Sequence, residues 1–287
     1  MSSADRAFAS APQGVRLHLG DLEIEGLSLG GLETTIAVPK WDLCFDVGRC
    51  PPFAVKRSTI LVTHAHMDHA GGLAYHAAMR DLLGLQPPRY VVPRENFEAF
   101  NDLFDVWRRL DRSRLPCEII PLSPGESVSI GRERRVDAFR SPHRVPCQGY
   151  ALVSQRSRLL PEFVGLPHGR IQALVLAGTV VTEAFDQIEV VFCGDTVIDV
   201  VDREVAVRTA RVLILEVTFL DGKVGVEAAR SKGHVHLDEV VERADLFENE
   251  HLVFTHFSQR YSTQDVHAII ARRLPPRLRE RAHVLCP

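Results

Sequence analysis

The 287 residues are 45% hydrophobic and 25% charged with a formal net charge of −3, a composition that supports an ordinary globular core and argues against wholesale coating of nucleic acid. No stretch approaches the roughly eighteen apolar residues needed to cross a bilayer, and residues 1–13 lack an apolar segment of signal-peptide length; a cytoplasmic protein with no membrane partner is expected. Six scattered cysteines without a C-x-x-C pair fit free thiols in a reducing compartment.

Residues 1–14 are small and polar and read as a flexible tail, with one domain over 15–287. The runs 15–19, 22–26, 33–38 and 42–47 are short and partly alternating, separated by Gly and Pro, the pattern of successive strands. Asp46, near the end of the last run, is either a turn-former or a partner to a ligating histidine. The apolar run 59–62 leads straight into Thr63-His64-Ala65-His66-Met67-Asp68-His69. Three imidazoles and a carboxylate at a strand tip are the groups that zinc takes, and four of them in six positions exceed what a merely His-rich loop offers.

A helix over 74–83 would set its N-terminal amides beside such a site. A strand over 89–92 follows, then an amphipathic helix over 93–110 whose Phe97, Phe100, Leu103, Phe104, Trp107 and Leu110 are expected in the core. Two short strands flank Ser123-Pro124-Gly125. Residues 136–143 form another strand ending in a histidine, His143, and 149–154 resume as a strand. The least regular part, 155–187, reads as an extended loop or small insertion. The strand 187–193 ends in Gly194-Asp195, where glycine lets the backbone turn and aim the carboxylate back at the strand tip. After a helix near 200–210, the apolar strand 212–218 carries Glu216, which is costly to bury without a partner. A helix over 237–247 follows. The strand 252–255 ends in His256, the helix 263–274 has Thr263 as its N-cap, and 283–286 closes as a strand.

Strands alternating with helices, and polar ligands gathered at strand ends, describe an α/β enzyme with its site along one sheet edge. The candidate metal ligands are His64, His66, Asp68, His69, His143, Asp195 and His256. His64 to His69 match the H-x-H-x-D-H motif of the metallo-β-lactamase superfamily residue for residue. Together with Gly194-Asp195-Thr196, Leu215-Glu216-Val217-Thr218-Phe219, Gly233-His234 and His256-Phe257-Ser258-Gln259-Arg260-Tyr261, they make the chain resemble the ribonuclease Z branch over about residues 15 to 285.

The resemblance implies a four-layer αβ/βα sandwich in a single domain, a phosphodiesterase that removes 3′ trailers from tRNA precursors, and a homodimer. It assigns His64, His66 and His143 to one zinc ion and Asp68, His69 and His256 to a second, with Asp195 bridging; manganese or iron are alternatives as the loaded metal. In it Asp68 also handles the nucleophile's proton, and Glu216 pairs with His234 beside the leaving oxygen, His236 being the rival donor. Arg260 and Ser258, in the loop after His256, are candidates for gripping the substrate phosphate. Local basic clusters over Arg132, Arg134, Arg135, Arg140 and Arg144, and over Arg272, Arg273, Arg277, Arg279 and Arg281, can attract RNA despite the net charge. Two departures stand out: 155–187 looks short for a tRNA-clamping arm and lacks a Lys-rich, Gly-Pro-rich tip, and His234-Val235-His236 replaces the usual His-Ser-Thr. They keep open a hydrolase of a small ester, whether a cyclic nucleotide, another phosphodiester or a lactone. A catalytically weak homologue kept for binding is a third reading, which the intact ligand set opposes.

Overall fold

The computed structural model describes residues 14–286, so the tail expected over 1–14 lies outside them apart from Gly14. Two sheets face each other. The first carries β1 (Val15–Leu19), β2 (Leu22–Gly30), β3 (Glu33–Val38), β4 (Leu43–Phe45), β5 (Thr59–Leu61), β6 (Arg89–Pro93) and β7 (Glu118–Leu122), in that spatial order. The second is built from β8 (Ser127–Gly131), β9 (Arg134–Arg140), β10 (Gln148–Leu159), β11 (Thr182–Phe192), β12 (Val212–Glu216) and β13 (His251–Thr255). The short β14 (Phe257–Ser258) crosses back to pair with β2, and β15 (Ala282–Val284) closes the second sheet beyond β13.

Strand alternation explains the layering. Along β12, Val212 and Ile214 point between the sheets, where they meet Phe45, Leu61 and Phe192. Leu213 and Leu215 point outward to a second core shared with the flanking helices. On the first sheet Leu61 points inward while Ile60 and Val62 face a third core with Phe100 and Phe104. Three apolar interfaces between four layers are the αβ/βα sandwich expected from the sequence. Glu216, next in the alternation after Val212 and Ile214, falls at the inter-sheet edge where the strands β5, β11, β12 and β13 all end. Among the described residues no helix is long and apolar enough to cross a membrane.

Several elements differ from the sequence expectation. The helix expected from residue 93 starts at Phe97, because Pro93 closes β6 and Arg94–Asn96 is a 3-10 turn. Only Phe100 and Phe104 of its apolar face are buried; Leu103, Trp107 and Leu110 are 43%, 44% and 69% exposed, because the helix covers an edge strand, β7, and one stripe suffices there. The helix near 200–210 breaks at the extended Glu204 into Asp199–Arg203 and Val205–Thr209. That over 237–247 is Leu237–Glu242 followed by a 3-10 turn. The last long helix, Thr263–Arg273, is capped by Ser262, whose hydroxyl accepts from the Asp265 amide while the Asp265 carboxylate accepts from the Ser262 amide.

The largest difference lies at 155–187. β10 and β11 run on as an antiparallel ribbon, with Gln155 opposite Asp186 and Leu159 opposite Thr182. A 3-10 turn, Pro161–Phe163, and a helix, His168–Leu176, form its tip. Both faces of this ribbon are wet, so no apolar period of two marks it in the sequence; cross-strand pairs such as Arg158–Glu183 hold it instead. β10 leaves the ligand end of the sheet at Gln148, whose amide donates to Thr63 O. The arm therefore projects from the opposite end.

The fold also buries a histidine far from any ligand. His76 is bonded to Tyr90 Oη (3.0 Å) and Ala54 O (3.2 Å), and burial, aided by the charge of Arg80, lowers its pKa from 6.5 to about 4. The native state holds it neutral where the unfolded chain binds a proton. Its stabilisation is thus complete above pH 6.5 and lost as pH falls through 4. His76→Gln is expected to lose roughly 2 kcal/mol less than the parent chain between pH 7 and pH 4.5 in urea unfolding; equal losses would contradict this.

Candidate metal centre

Seven side chains from the ends of four strands, β5, β9, β11 and β13, converge at one edge of the sandwich. His64, His66, His143 and Asp195 form one group of mutually close ligand atoms, and Asp68, His69 and His256 a second, all atoms within each group lying within 4.8 Å of one another. Asp195 touches both groups: its Oδ2 is 3.8 Å from His64 Nε2, and its Oδ1 is 3.3 Å from His69 Nε2 and from His256 Nε2. The turn that aims it needs glycine, since Gly194 has φ +62° and a Cβ there would stand 2.7 Å from Thr63 Cβ.

The surrounding hydrogen bonds fix which nitrogen of each ring faces inward. His69 Nδ1 donates to Asp46 Oδ2 (2.8 Å) and His143 Nδ1 to Gly233 O (2.9 Å). The Thr63 hydroxyl donates to Asp46 (2.8 Å) and so accepts from His64 Nδ1 (3.0 Å). The Thr218 hydroxyl donates to Glu216 (2.6 Å) and so accepts from His256 Nδ1 (3.0 Å). Each network leaves Nε2 free to present a lone pair to the centre. His69 Nε2 and His256 Nε2 then face each other at 3.4 Å, and His64 Nε2 faces His66 Nδ1 at 3.0 Å. The buried His143 Nε2 and Asp195 Oδ1 have no hydrogen-bond partner. Converging lone pairs and buried carboxylates call for positive charge between them, which is what a divalent cation supplies.

Electrostatics agree. Burial opposes charge on His69, yet Asp195 and Asp46 outweigh it and raise its pKa well above the ordinary value. Asp195 is held well below the usual carboxylate range, burial being overcome by His256, His69 and His64. Asp68 is likewise lowered against its burial, by His256 and His69, and its Oδ2 accepts from the Gly31 amide (2.7 Å). Asp46 is both things the sequence left open: its φ of +56° ends β4 in a turn, and its carboxylate holds His69 and the Thr63 amide (2.7 Å).

Glu216 has its partner. It accepts from His234 Nδ1 (2.9 Å), from the amides of Thr196 and Thr218, and from the Thr218 hydroxyl. Burial works against protonation of His234, but Glu216 outweighs it and lifts the pKa from 6.5 to about 9. His234 stacks on His256 at 5.4 Å and lies 5.5 Å from His143. His236 instead caps the helix Leu237–Glu242, accepting from the Asp238 amide at Nδ1. Ser258 accepts from Arg260 Nε (3.1 Å), and the Arg260 guanidinium lies over Phe219, whose edge meets His234. Of the basic clusters, Arg134 lies over Trp41, Arg135 bonds Asp137 and Asp186, and Arg273, Arg277 and Arg281 are tied to neighbouring carboxylates or carbonyls. Arg140 and Arg144 stay at the rim. Sequence reasoning missed Thr63 and Thr218, although Thr218 shares the strand face of Glu216 two residues on.

A family model described as a β-lactamase superfamily domain matches residues 48–257, which fits this centre to a superfamily of metal-dependent hydrolases. A tRNase Z of Arabidopsis thaliana is 40% identical over 264 residues, 91% of this chain and 94% of that one. A chloroplastic tRNase Z of the same plant is 34% identical over 258 residues, 89% and 73% of the two chains. The chain belongs to the ribonuclease Z family of metal-dependent endoribonucleases. The solved structure of human tRNase Z, short form, is similar in fold, with a TM-score of 0.58 at 20% identity over 83% of this chain and 93% of that one.

Asp46→Asn keeps the shape of the buried side chain and removes the charge that orients His69. Affinity for the ion nearest His69 is expected to fall roughly 10- to 100-fold in competition with a chromogenic chelator. Unaltered affinity in a normally folded variant would contradict the role given to Asp46.

Proposed function

We propose that this chain is a zinc-dependent phosphodiesterase that removes 3′ trailers from tRNA precursors, with two zinc ions per chain held as the family resemblance assigns them. The observation that carries this reading is the Glu216–His234 pair at 2.9 Å beside the converged ligands. A hydrolase of a good leaving group has no need of a protonated imidazole there; departure of a ribose 3′ oxygen does. A set of imidazole nitrogens and carboxylates suits zinc, and manganese or iron could replace it. Cations bound there supply Lewis acidity, lowering the pKa of water and neutralising charge that develops at phosphorus.

The chain's own residues do the rest. Asp68, held ionised, takes up the nucleophile's proton, and its bond from the Gly31 amide keeps it in place. His234, protonated through Glu216, gives a proton to the departing 3′ oxygen. Arg260 and Ser258 stand beyond Phe219 to hold the neighbouring phosphate. The arm over 155–187 serves as the tRNA clamp. Because it points away from its own centre, it can serve the centre of a second copy, and a cytoplasmic homodimer is the assembly that fits. The exposed Leu103, Val106, Trp107 and Leu110 on the helix Phe97–Asp111 provide an apolar face for it. The ribbon and helix at 155–187 remove the shortness that favoured the small-ester reading; the missing Lys-rich tip and His234-Val235-His236 are what it keeps.

Cleavage of a tRNA precursor with a 3′ trailer, leaving a 3′ hydroxyl on the tRNA, is the direct test; hydrolysis of a chromogenic phosphodiester with none of the precursor would contradict it. His234→Ala is expected to lower kcat on the precursor by on the order of 100-fold with metal content intact. His236→Ala, which removes a cap, should cost about 1 kcal/mol of stability and change kcat little. The reverse pattern would assign the proton to His236. Trp107→Glu is expected to shift the species seen by light scattering from dimer to monomer; an unchanged mass would place the interface elsewhere.

A further inference from the structure

A cleft of about 770 Å³ opens directly beside His143, a volume in the range that holds a ligand of nucleotide size. Its floor is the loop between β9 and β10, and its far wall is formed by the residues that follow β6 and β7. Three arginines, Arg94, Arg140 and Arg203, face it against one carboxylate, Glu95. Arg94 is tied to Glu126 (2.7 Å) and Ser123, and Arg203 stands 3.7 Å from Asp199. Arg140 is exposed, and its side chain makes no hydrogen bond or ion pair among the described residues. Pro93, Pro124, Pro142 and Pro146 give the cleft flat apolar walls.

Strand order sets the cleft's place relative to the reaction. In the second sheet β9 and β10 lie on one side of β11 and β12, which carry Asp195 and Glu216, while β13, which leads to His256, Ser258 and Arg260, lies on the other. In the first sheet β6 and β7 lie beyond β5, whereas β14 pairs with β2 on the far side. The cleft and the Phe219–Arg260 pair therefore flank the centre from opposite directions. His234, the proposed donor to the leaving 3′ oxygen, does not line the cleft but stands between His143 (5.5 Å) and Phe219 (6.2 Å), with Arg260 over Phe219 beyond it, so the nucleotide that keeps the 3′ hydroxyl departs on the Phe219–Arg260 side.

We propose that the cleft beside His143 is the subsite for the nucleotides downstream of the scissile bond, the 5′-phosphorylated trailer, with Arg140 gripping a trailer phosphate and the prolines packing against ribose and base. This rests on the RNA reading above. Arg140 supplies the free charge, and the tethered Arg94 and Arg203 supply positive potential around it.

The test compares the parent chain with Arg140→Ala on three substrates: a tRNA precursor with a trailer of one nucleotide, the same precursor with a trailer of roughly eight, and a chromogenic phosphodiester that reports the metal centre alone. Loss of one charged phosphate contact is expected to raise KM for the long trailer roughly ten-fold, with the one-nucleotide trailer and the small ester unchanged. Equal loss on all three would place Arg140 at the scissile phosphate and overturn the proposal, as would no change on any. A parent chain that hydrolyses the small ester but neither precursor would instead overturn the RNA reading, and the trailer subsite with it.

Discussion

Buried charge that lacks its counter-charge is the constraint on which the rest depends. Asp46, Asp68, Asp195 and Glu216 stand within a few ångströms of a ring of imidazoles at the inter-sheet edge, and no fold tolerates such a group unless cations or protons neutralise it. The surrounding donors and acceptors settle which. Asp46, Thr63, Thr218 and the Gly233 carbonyl engage the outer nitrogens of His69, His64, His256 and His143, so the inner nitrogens are left to a cation. Glu216 and His234 solve the same problem with a proton between them, the one that the proposed reaction draws on.

The sandwich makes the convergence possible. Parallel strands β4, β5 and β6 in one sheet and β11, β12 and β13 in the other all end at the same edge; the segments after β5, β11 and β13, with that after β9, contribute the ligands, while the ends of β4 and β12 supply Asp46, Glu216 and Thr218, which hold them. Positive φ at Asp46 and His256, unusual for residues other than glycine, bends the chain inward at the two places where a ligand or its holder must turn back.

Much of this was legible in the sequence, for identifiable reasons. His64 to His69 stand out because the ligands are consecutive; His143, Asp195 and His256 stand out because each closes an apolar run. Glu216 declared itself as an unpaired charge in a buried strand. The choice between His234 and His236 was not legible, since both lie two apart in one loop and only the helix cap engages one of them. Nor was the arm: a ribbon wet on both faces leaves no apolar period, and charge pairs across it are invisible without the register. The exposed side of the helix Phe97–Asp111 misled for a related reason, because an amphipathic pattern does not tell how much of the stripe its own sheet covers.

The account stands or falls on two cations sharing Asp195. Elemental analysis of the purified chain after reconstitution with zinc measures this most directly. The account predicts up to two ions per chain, with Asp195→Ala weakening both sites together. A chain that binds no stoichiometric transition metal, or that retains both ions unweakened in Asp195→Ala, would contradict it.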